Sequence, residues 1–317
     1  MNKFLKKEIV YQMNVKPNMT VLELIESMGL CGVLGAGRVA KASKILVEMF
    51  ADKGCTVFLA LAGPAVAGGL RNIVSSLVKM KLIDAIVTNG ANLTHDLIEA
   101  LGFKHLRGEE NPDDVQLSFK GVGRIGDIYI EEEAFKSLEK NIYNILDKVL
   151  EKKVYPVYEL LEKIGLHIND ENSILASASK NGVPIFSPGI YDSMLGLHLW
   201  MYSRLKGLSL DFNKDMGKMY DIIFSSKRIG AIILGGGLPK HFTLGASMLK
   251  GGVDAAIQIT MDRAEAGSLS GAPLEEAISW KKAKVKSKLV TVIGDFTIIF
   301  PLLVASALSS LHREVKK

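Results

Sequence analysis

The sequence predicts an α/β fold: a doubly wound, mostly parallel sheet with helices on both faces and a small inserted hairpin. Continuous apolar segments of strand length alternate with amphipathic segments of helix length, a pattern typical of parallel strands buried on both faces. Several strands run into glycine-rich turns that open a helix, as in Rossmann-like sheets. The 317 residues contain no low-complexity linker, so we expect one large domain.

The N-terminal third is predicted to alternate between helices and strands after a short arm. We expect the arm over residues 1–20 and the single domain over residues 21–317. The helices predicted by apolar spacing are Val21–Met28, Val39–Met49, a helix ending at Lys79, and Leu93–Leu101. The apolar strands are Thr56–Leu61 and Ile83–Thr88, followed by the turns Ala62–Leu70 and Asn89–Asn92.

The segment Gly35-x-Gly37-x-x-Ala40 matches the spacing of a dinucleotide-binding fingerprint. Its context argues against that function, because the preceding residues make a poor strand. The nearest later acid, Asp52, precedes the next strand and is not at its end, where a ribose would be held. We therefore predict a glycine-rich helix start here.

Residues 103–130 interrupt the alternation. Gln116–Phe119 and Asp127–Ile130 are predicted to be the strands of an inserted hairpin around Gly121–Gly126. A long, charged amphipathic helix is expected over Glu131–Lys153, with one side facing solvent.

The strand–turn–helix pattern then resumes and continues to the end of the chain. The predicted helices are Pro156–Ile164, Glu171–Lys180, a helix containing Trp200, Phe212–Ser226 and a helix ending at Lys250. The predicted strands are Val183–Phe186, Arg228–Leu234, Val253–Thr260 and Leu289–Ile293. Together with the earlier strands they fit one doubly wound sheet.

The most apolar segment, Phe296–Leu308, is interrupted by Pro301. A membrane-spanning helix needs about 20 residues, so we expect a helix buried on most sides, in the core or at a subunit interface. The first residues of the chain carry no apolar run of signal-peptide length. These patterns predict a cytoplasmic protein without a membrane partner.

Composition excludes several classes of protein. The net charge of +5 is mild, basic and acidic residues are interspersed, and only 7% of residues are aromatic, so a dedicated nucleic-acid binder is not expected. Cys31 and Cys55 cannot build a disulfide framework, and we expect both to be reduced and buried. The six histidines are scattered without metal-ligand spacing, so no metal site is predicted.

The stretch Gly267–Lys282 follows the predicted strand Val253–Thr260 and combines small residues with Ser279-Trp280-Lys281-Lys282. Small residues let the backbone approach a ligand closely. An apolar wall beside an amine disfavours the ammonium form and can free a nucleophile. The alternative is a surface loop followed by a helix start with solvated lysines.

Polar or glycine-rich groups follow several of the predicted strands, at Gly63, Asn89-Gly90, Asp192, Gly235–His241 and Asp295. In a doubly wound sheet these strand ends converge on one edge and can outline a cofactor crevice. The aspartates could bind ribose hydroxyls, or they could be helix N-caps. His241 could be a neutral hydrogen-bonding imidazole or a polar first-turn residue, and Glu276 could pair with a cationic ligand or stabilise a helix start.

The segments that carry these groups resemble the deoxyhypusine synthase family. The matching segments are Ser187–Asp192, Gly235–His241, Gly267–Ala272, Glu276–Lys282 and Asp295–Ala305, and the resemblance covers nearly the whole chain. It implies a homotetramer with active sites at dimer interfaces and with NAD as cofactor. It also implies a reaction in which spermidine is oxidised and an active-site lysine takes the aminobutyl group as an imine, releasing 1,3-diaminopropane. The group then passes to one lysine of the hypusine-containing translation factor precursor, and the retained NADH reduces the new imine.

The resemblance also implies a role for each matching residue. Lys282 is similar to the imine-forming lysine, and His241 to a residue that assists proton or hydride transfer. Trp280 is expected to pack against the polyamine and Glu276 to hold an amine. The implied NAD contacts are Asn89, Gly90, Asp192, Gly235, Gly236, Ser270 and Asp295.

The chain departs from the eukaryotic members at several of these positions. Leu197, Ala266 and Leu269 stand where acids are expected, so the donor could be spermidine or another amine. Lys281 replaces the usual glycine and is an alternative to Lys282 as the imine-forming lysine. Two other functions therefore stay open: a paralogue that makes a free polyamine such as homospermidine, and a non-catalytic NAD-binding regulatory subunit.

Overall fold

The computed structural model describes residues 8–315, and residues 1–7 of the predicted arm lie outside them. Residues 8–20 contain no helix or strand. The α-helices are α1 (Val21–Cys31), α2 (Leu34–Ala51), α3 (Arg71–Lys79), α4 (Gly90–Ala100), α5 (Asp114–Phe119), α6 (Glu132–Val149), α7 (Val157–Leu166), α8 (Ile174–Asn181), α9 (Met194–Lys206), α10 (Phe212–Ser225), α11 (Gly237–Ser247), α12 (Glu276–Ser279) and α13 (Phe296–Val315). The strands are β1 (Cys55–Leu61), β2 (Ala85–Thr88), β3 (Leu106–Arg107), β4 (Val122–Ile125), β5 (Ile128–Glu131), β6 (Val154–Tyr155), β7 (Ile185–Phe186), β8 (Ser209–Leu210), β9 (Arg228–Leu234), β10 (Val253–Thr260) and β11 (Ala283–Ile293).

A six-stranded sheet forms the centre of the molecule, in the order β11-β10-β9-β1-β2-β7. Every neighbouring pair in it is parallel. Counted along the chain, these strands lie in the order 3-2-1-4-5-6, which is the doubly wound order of dinucleotide-binding sheets. The predicted α/β fold is therefore confirmed.

Alternate residues of each strand face opposite sides of the sheet, and each side has its own core. Leu59, Ile232 and Ile257 lie in the core that α2, α3 and α13 cover. Phe58 and Ala231 belong to the other core, which is closed by α10 and α11. Burial on both faces explains why these strands read as unbroken apolar runs in the sequence.

The strand order reverses between β1 and β9, and this point positions the candidate site. The N–H of Ala62, just after β1, donates to the carbonyl of Leu234, the last residue of β9, at 2.9 Å. From here one half of the sheet continues through β2 and the other through β10. A crevice opens at such a reversal, outside the carboxyl ends of the strands.

The inserted hairpin exists, but one of its predicted strands is wrong. Gln116–Phe119 belongs to the short helix α5, whose first turn is capped by the carboxylate of Asp113. The hairpin strands are β4 and β5, which pair antiparallel, and β3 extends them to three strands. Six residues are too few to show a helical period, so the apolar spacing of α5 was indistinguishable from that of a strand.

The glycine-rich segment near Gly35 is helical, as predicted. Helix α2 begins at Leu34, directly after α1, and residues 8–33 contain no strand before it. Gly37 allows this tight corner, because a Cβ there would lie 2.4 Å from the carbonyl carbon of Gly32.

The C-terminal helix is longer than predicted. Helix α13 has 20 residues, and by length and composition its segment Phe296–Arg313 could cross a membrane. In the single chain, 28% of that longer segment is buried, whereas within the predicted Phe296–Leu308 only Ile298 and Ala305 are exposed; burial at a subunit interface stays a prediction. One face does belong to the core: Phe300 and Leu303 are buried there, and the Ser306 hydroxyl lies 2.8 Å from that of Ser43 on α2.

Candidate active site at the carboxyl edge of the sheet

The four residues predicted to act on the substrate line one cavity of about 450 Å³: His241, Glu276, Trp280 and Lys282. The rest of its lining is mainly small or apolar: Leu244, Ala264, Gly267, Ser268, Leu269, Ala272, Pro273 and Ala277, together with Lys240. Helix α11, the loop after β10 and the turn between α12 and β11 therefore meet around one space. Its size and apolar walls suit the carbon chain of a small amine.

Lys282 lies in the turn between α12 and β11. Its Nζ lies 3.3 Å from Nδ1 of His241 and 5.6 Å from the centroid of the Trp280 ring. Lys281 is exposed and does not line the cavity. The fold thus brings Lys282, and not Lys281, to the imidazole and the indole.

Burial, together with the charge of Lys282, lowers the pKa of His241 below its usual value. A neutral imidazole can accept a hydrogen bond or a proton from the neighbouring ammonium. An amine that has lost its proton is a nucleophile toward an imine or carbonyl carbon. The pair can therefore support covalent capture of such a carbon by Lys282.

Two buried polar residues that sequence reasoning missed lie beside this cavity. Lys240 is 2% exposed and Gln258 is 0% exposed, and their side chains are 2.9 Å apart. Lys240 is on α11, next to His241, and Gln258 is in the middle of β10. An uncharged polar residue inside an apolar strand was the available signal, because a buried amide needs partners.

Three of the predicted cofactor residues pack together at the end of β9. Gly235 has a φ of +76°, and a Cβ there would lie 3.2 Å from the Cβ of Ala62. A Cβ on Gly236 would lie 2.5 Å from the Cα of Ser270. The Ser270 hydroxyl accepts a hydrogen bond from the N–H of Gly237 at 2.9 Å. These contacts leave a backbone surface at the sheet reversal that only glycines allow.

Asn89 and Gly90 lie at the end of β2, where they contact the turn after β7. The Asn89 side chain caps α4 by accepting from the N–H of Asn92 at 2.9 Å. A Cβ on Gly90 would lie 2.2 Å from the hydroxyl oxygen of Ser193. Ser193 is also the N-cap of α9, so the alternative interpretation of Asp192 as a helix cap is wrong. Asp192 is exposed beside this contact.

Asp295 follows β11 and precedes α13. The Asp295 carboxylate accepts hydrogen bonds from the N–H of Thr297 at 2.7 Å and from the Thr297 hydroxyl at 2.8 Å. Within the protein it therefore acts as a cap of α13. The adjacent Phe296 ring would be 3.5 Å from a Cβ on Gly63, in the loop after β1. The end of β11 therefore reaches the sheet reversal, although two strands lie between β11 and β1.

No group of three or more metal-ligating side chains (His, Cys, Asp or Glu) is found in the described range 8–315. The prediction that this chemistry uses no resident metal stays a prediction.

The sequence comparisons with known proteins agree on one family. The family model described as deoxyhypusine synthase matches residues 23–307. A relative from Methanothermobacter thermautotrophicus, named a probable deoxyhypusine synthase, is 52% identical over 303 residues, which are 95% of this chain and 98% of the relative. A probable deoxyhypusine synthase 1 from Methanosarcina mazei is 39% identical over 94% of both chains. A crystal structure described as a deoxyhypusine synthase from Entamoeba histolytica shares the fold, with a TM-score of 0.62. It is 21% identical, and the match covers 92% of this chain and 94% of that one.

Proposed function

The chain belongs to the deoxyhypusine synthase family, and on that premise we propose that it transfers the aminobutyl group of spermidine to a lysine of the hypusine-containing translation factor precursor. Membership of the family implies a transferase. The observation that carries the finer proposal is the 3.3 Å approach of Lys282 Nζ to His241 Nδ1 in a cavity that also holds Glu276 and Trp280. A nucleophile, a base, a carboxylate for an ammonium and an aromatic wall are the groups this chemistry needs.

Each side chain has one task in the proposed reaction. Glu276 holds an ammonium end of the donor, and Trp280 packs against its carbon chain. Lys282 Nζ attacks the oxidised carbon of the donor, the bond to the leaving nitrogen breaks, and 1,3-diaminopropane departs. The acceptor lysine displaces Lys282 in the same way. His241 accepts the proton that Lys282 gives up and returns it to the leaving nitrogen.

NAD is the proposed cofactor, and when bound it would take a hydride from the donor and return it to the final imine. The strand ends suit it. Gly235 and Gly236 offer bare backbone at the sheet reversal, and Ser187, at the end of β7, has a buried hydroxyl without a partner among the described residues. The carboxylates proposed to hold ribose hydroxyls are Asp192 and Asp295, with Asn89, Gly90 and Ser270 as further contacts.

We also propose the assembly and the setting that the family implies. The protein would be a cytoplasmic homotetramer, with the factor precursor as its protein substrate and no nucleic-acid or membrane partner. Exposed apolar residues, such as Trp200 at 52% on α9 and Met261 at 67% just after β10, support an interface with a second copy.

One observation favours a second candidate, transfer to a free amine to give a product such as homospermidine. Glu276 is the one carboxylate among the described residues that line the cavity, and Leu244 and Leu269 are part of the same lining. A triply charged donor would therefore leave more of its ammonium groups without a carboxylate partner than a smaller diamine would.

The test is incubation of the purified protein with NAD, spermidine labelled in its aminobutyl group, and the purified factor precursor. Label on the precursor supports the proposal. Labelled free homospermidine without labelled precursor would overturn it in favour of the second candidate.

Lys282→Arg keeps the positive charge but removes the nucleophile, so we expect transfer to fall by about a thousandfold or more while NAD affinity stays unchanged. The matched control is Lys281→Arg, which should retain transfer. Activity that survives in Lys282→Arg and disappears in Lys281→Arg would move the covalent role to Lys281.

A further inference from the structure

Lys240 carries a buried ammonium group with three hydrogen-bond acceptors. Its Nζ donates to Oε1 of Gln258 at 2.9 Å, to the carbonyl of Leu269 at 2.8 Å and to the carbonyl of Ala272 at 2.6 Å. An ammonium has three N–H donors, so every donor is used. The side chain, on α11, is thereby tied both to β10 and to the loop that follows it.

Gln258 extends this connection toward the sheet reversal. Its Nε2 donates to the carbonyl of Gly235 at 2.9 Å and to the carbonyl of Ser270 at 2.7 Å. Both amide hydrogens and the amide oxygen are therefore satisfied within the protein. Since Gln258 is fully buried, each of these bonds would be costly to lose without a replacement.

The two side chains divide four backbone carbonyls between the two halves of the candidate site. Lys240 holds Leu269 and Ala272, which line the amine cavity together with Lys282. Gln258 holds Gly235 and Ser270, and Ser270 packs against Gly236 at the proposed cofactor surface. The bond between Lys240 and Gln258 joins the two halves.

We infer that Lys240 and Gln258 are positioning residues that fix the segment 269–272 against the end of β9, and so set the shape of the amine cavity and of the cofactor surface. Lys240 acts mainly on the amine side and Gln258 mainly on the cofactor side. This inference rests on the proposed function for the identity of the two ligands, but not for the network itself.

The charge on Lys240 matters to this role. Burial, opposed by Glu276 and assisted by Lys282, lowers the pKa of Lys240 to about 8. A neutral amine has two N–H donors for three acceptors, so deprotonation releases one carbonyl or the bond to Gln258. Besides Glu276 and Lys282, the titratable group nearby is His241, which directly follows Lys240 on α11 and also lines the cavity.

The experiment compares Lys240→Met and Gln258→Met with the wild type. Both changes keep the length and apolar volume of the side chain while removing its hydrogen bonds. We expect Lys240→Met to raise the KM for the amine about tenfold with a smaller change in kcat, and to leave the Kd for NAD within about twofold. We expect Gln258→Met to raise the Kd for NAD about tenfold, because it frees Gly235 and Ser270.

Lys250→Met is the matched control. Lys250 also donates to backbone carbonyls, those of Phe224 and Ser226, but it lies outside the cavity lining. Its loss should lower stability without changing either ligand constant. Equal effects of Lys240→Met and Lys250→Met on the amine KM would overturn the inference.

A second measurement uses the wild type and needs no transfer activity. Hydrogen-exchange protection factors of the 267–275 amides should fall as the pH rises through about 8, relative to those of α10, and should not depend on pH in this way in Lys240→Met. Protection that is constant with pH in the wild type would sink the inference. If the wild type transfers no label yet shows this pH-dependent protection, the proposed function fails and the positioning role stands.

Discussion

Leu269 is apolar at a position where a carboxylate could form an ion pair with a polycationic donor. It is 37% exposed and lines the same cavity as Glu276. A half-exposed ion pair contributes about 0.2–1 kcal/mol, and this contribution weakens as salt is added. Introducing a carboxylate at position 269 therefore tests whether a charge partner there improves binding of the donor.

Leu269→Asp should lower the KM for spermidine by about two- to fivefold at low salt, because the new carboxylate pairs with an ammonium. Steady-state kinetics at low and high salt would measure the effect, which should shrink at high salt. Leu269→Asn has the same shape without the charge and should give no gain. An equal gain from Asn would show that polarity or size, and not charge, limits the donor.

At this scale the sequence predicted the two residues that meet in the cavity, Lys282 and His241, but not the buried residues beside them. Lys282 and His241 were found because both lie in segments with a recognisable pattern. Lys240 was overlooked because lysines are usually solvated, and its burial depends on acceptors at residues 258, 269 and 272, which lie far from it in the chain. Single-sequence patterns report local order and cannot reveal that a distant loop returns to accept a hydrogen bond.

At the level of elements, the turn between α12 and β11 contains a strained residue. Lys281 has a φ of +59°, in the left-handed region that costs a residue with a Cβ about 1–2 kcal/mol. Glycine adopts this conformation without that cost, although it loses more entropy on folding. The usual glycine of the family at this position therefore has a physical reason: the turn must reverse the chain directly before Lys282.

Lys281→Gly should raise the free energy of unfolding by about 0.5–1 kcal/mol, since the relief of strain exceeds the entropy cost. Thermal or denaturant unfolding would measure it. Transfer activity should be retained, because Lys281 does not line the cavity. Lys286→Gly, in the exposed part of β11, is the control and should destabilise the protein. Destabilisation by Lys281→Gly would show that the turn is not under strain.

Elements with a long, regular pattern were predicted almost to the residue. Strands β9 and β10 match their predicted bounds, since an apolar run between charged or glycine residues fixes both ends. The inserted hairpin was harder, because β4 contains Gly123 and resembles a turn, whereas α5 is held by a single cap at Asp113. Short elements depend on caps and pairing partners more than on their own pattern.

For the whole molecule, the strand order explains why the site residues come from such distant parts of the chain. The reversal between β1 and β9 brings the loops after residues 61, 234 and 260 to one edge, and the alternation of strands and helices was enough to predict this. A surface for the proposed interface with another copy was not predictable in detail. A helix face that is apolar in sequence can be buried by its own chain or by a partner, and only the fold distinguishes the two.

Helix α9 shows this distinction. Met194, Leu197 and Trp200 follow each other at intervals of three residues and are 37%, 42% and 52% exposed. Tyr191, just before the helix, extends the same apolar surface and is 49% exposed. Several exposed apolar side chains close together on one helix are typical of a subunit interface. Its position beside Asp192 would place a second copy against the proposed cofactor site.

Trp200→Lys should therefore weaken the proposed homotetramer, because a buried aromatic residue at an interface commonly contributes about 2 kcal/mol or more, equivalent to about a thirtyfold rise in the dissociation constant. Light scattering after size-exclusion chromatography would show species of lower mass, and transfer should fall with the loss of assembly. Phe119→Lys is the matched control, since Phe119 is 88% exposed but lies on α5 beside the hairpin. An unchanged mass for Trp200→Lys across dilution would exclude α9 as the interface, and the exposed face of α13, where Ile298 is 64% exposed, would be the next apolar surface to test.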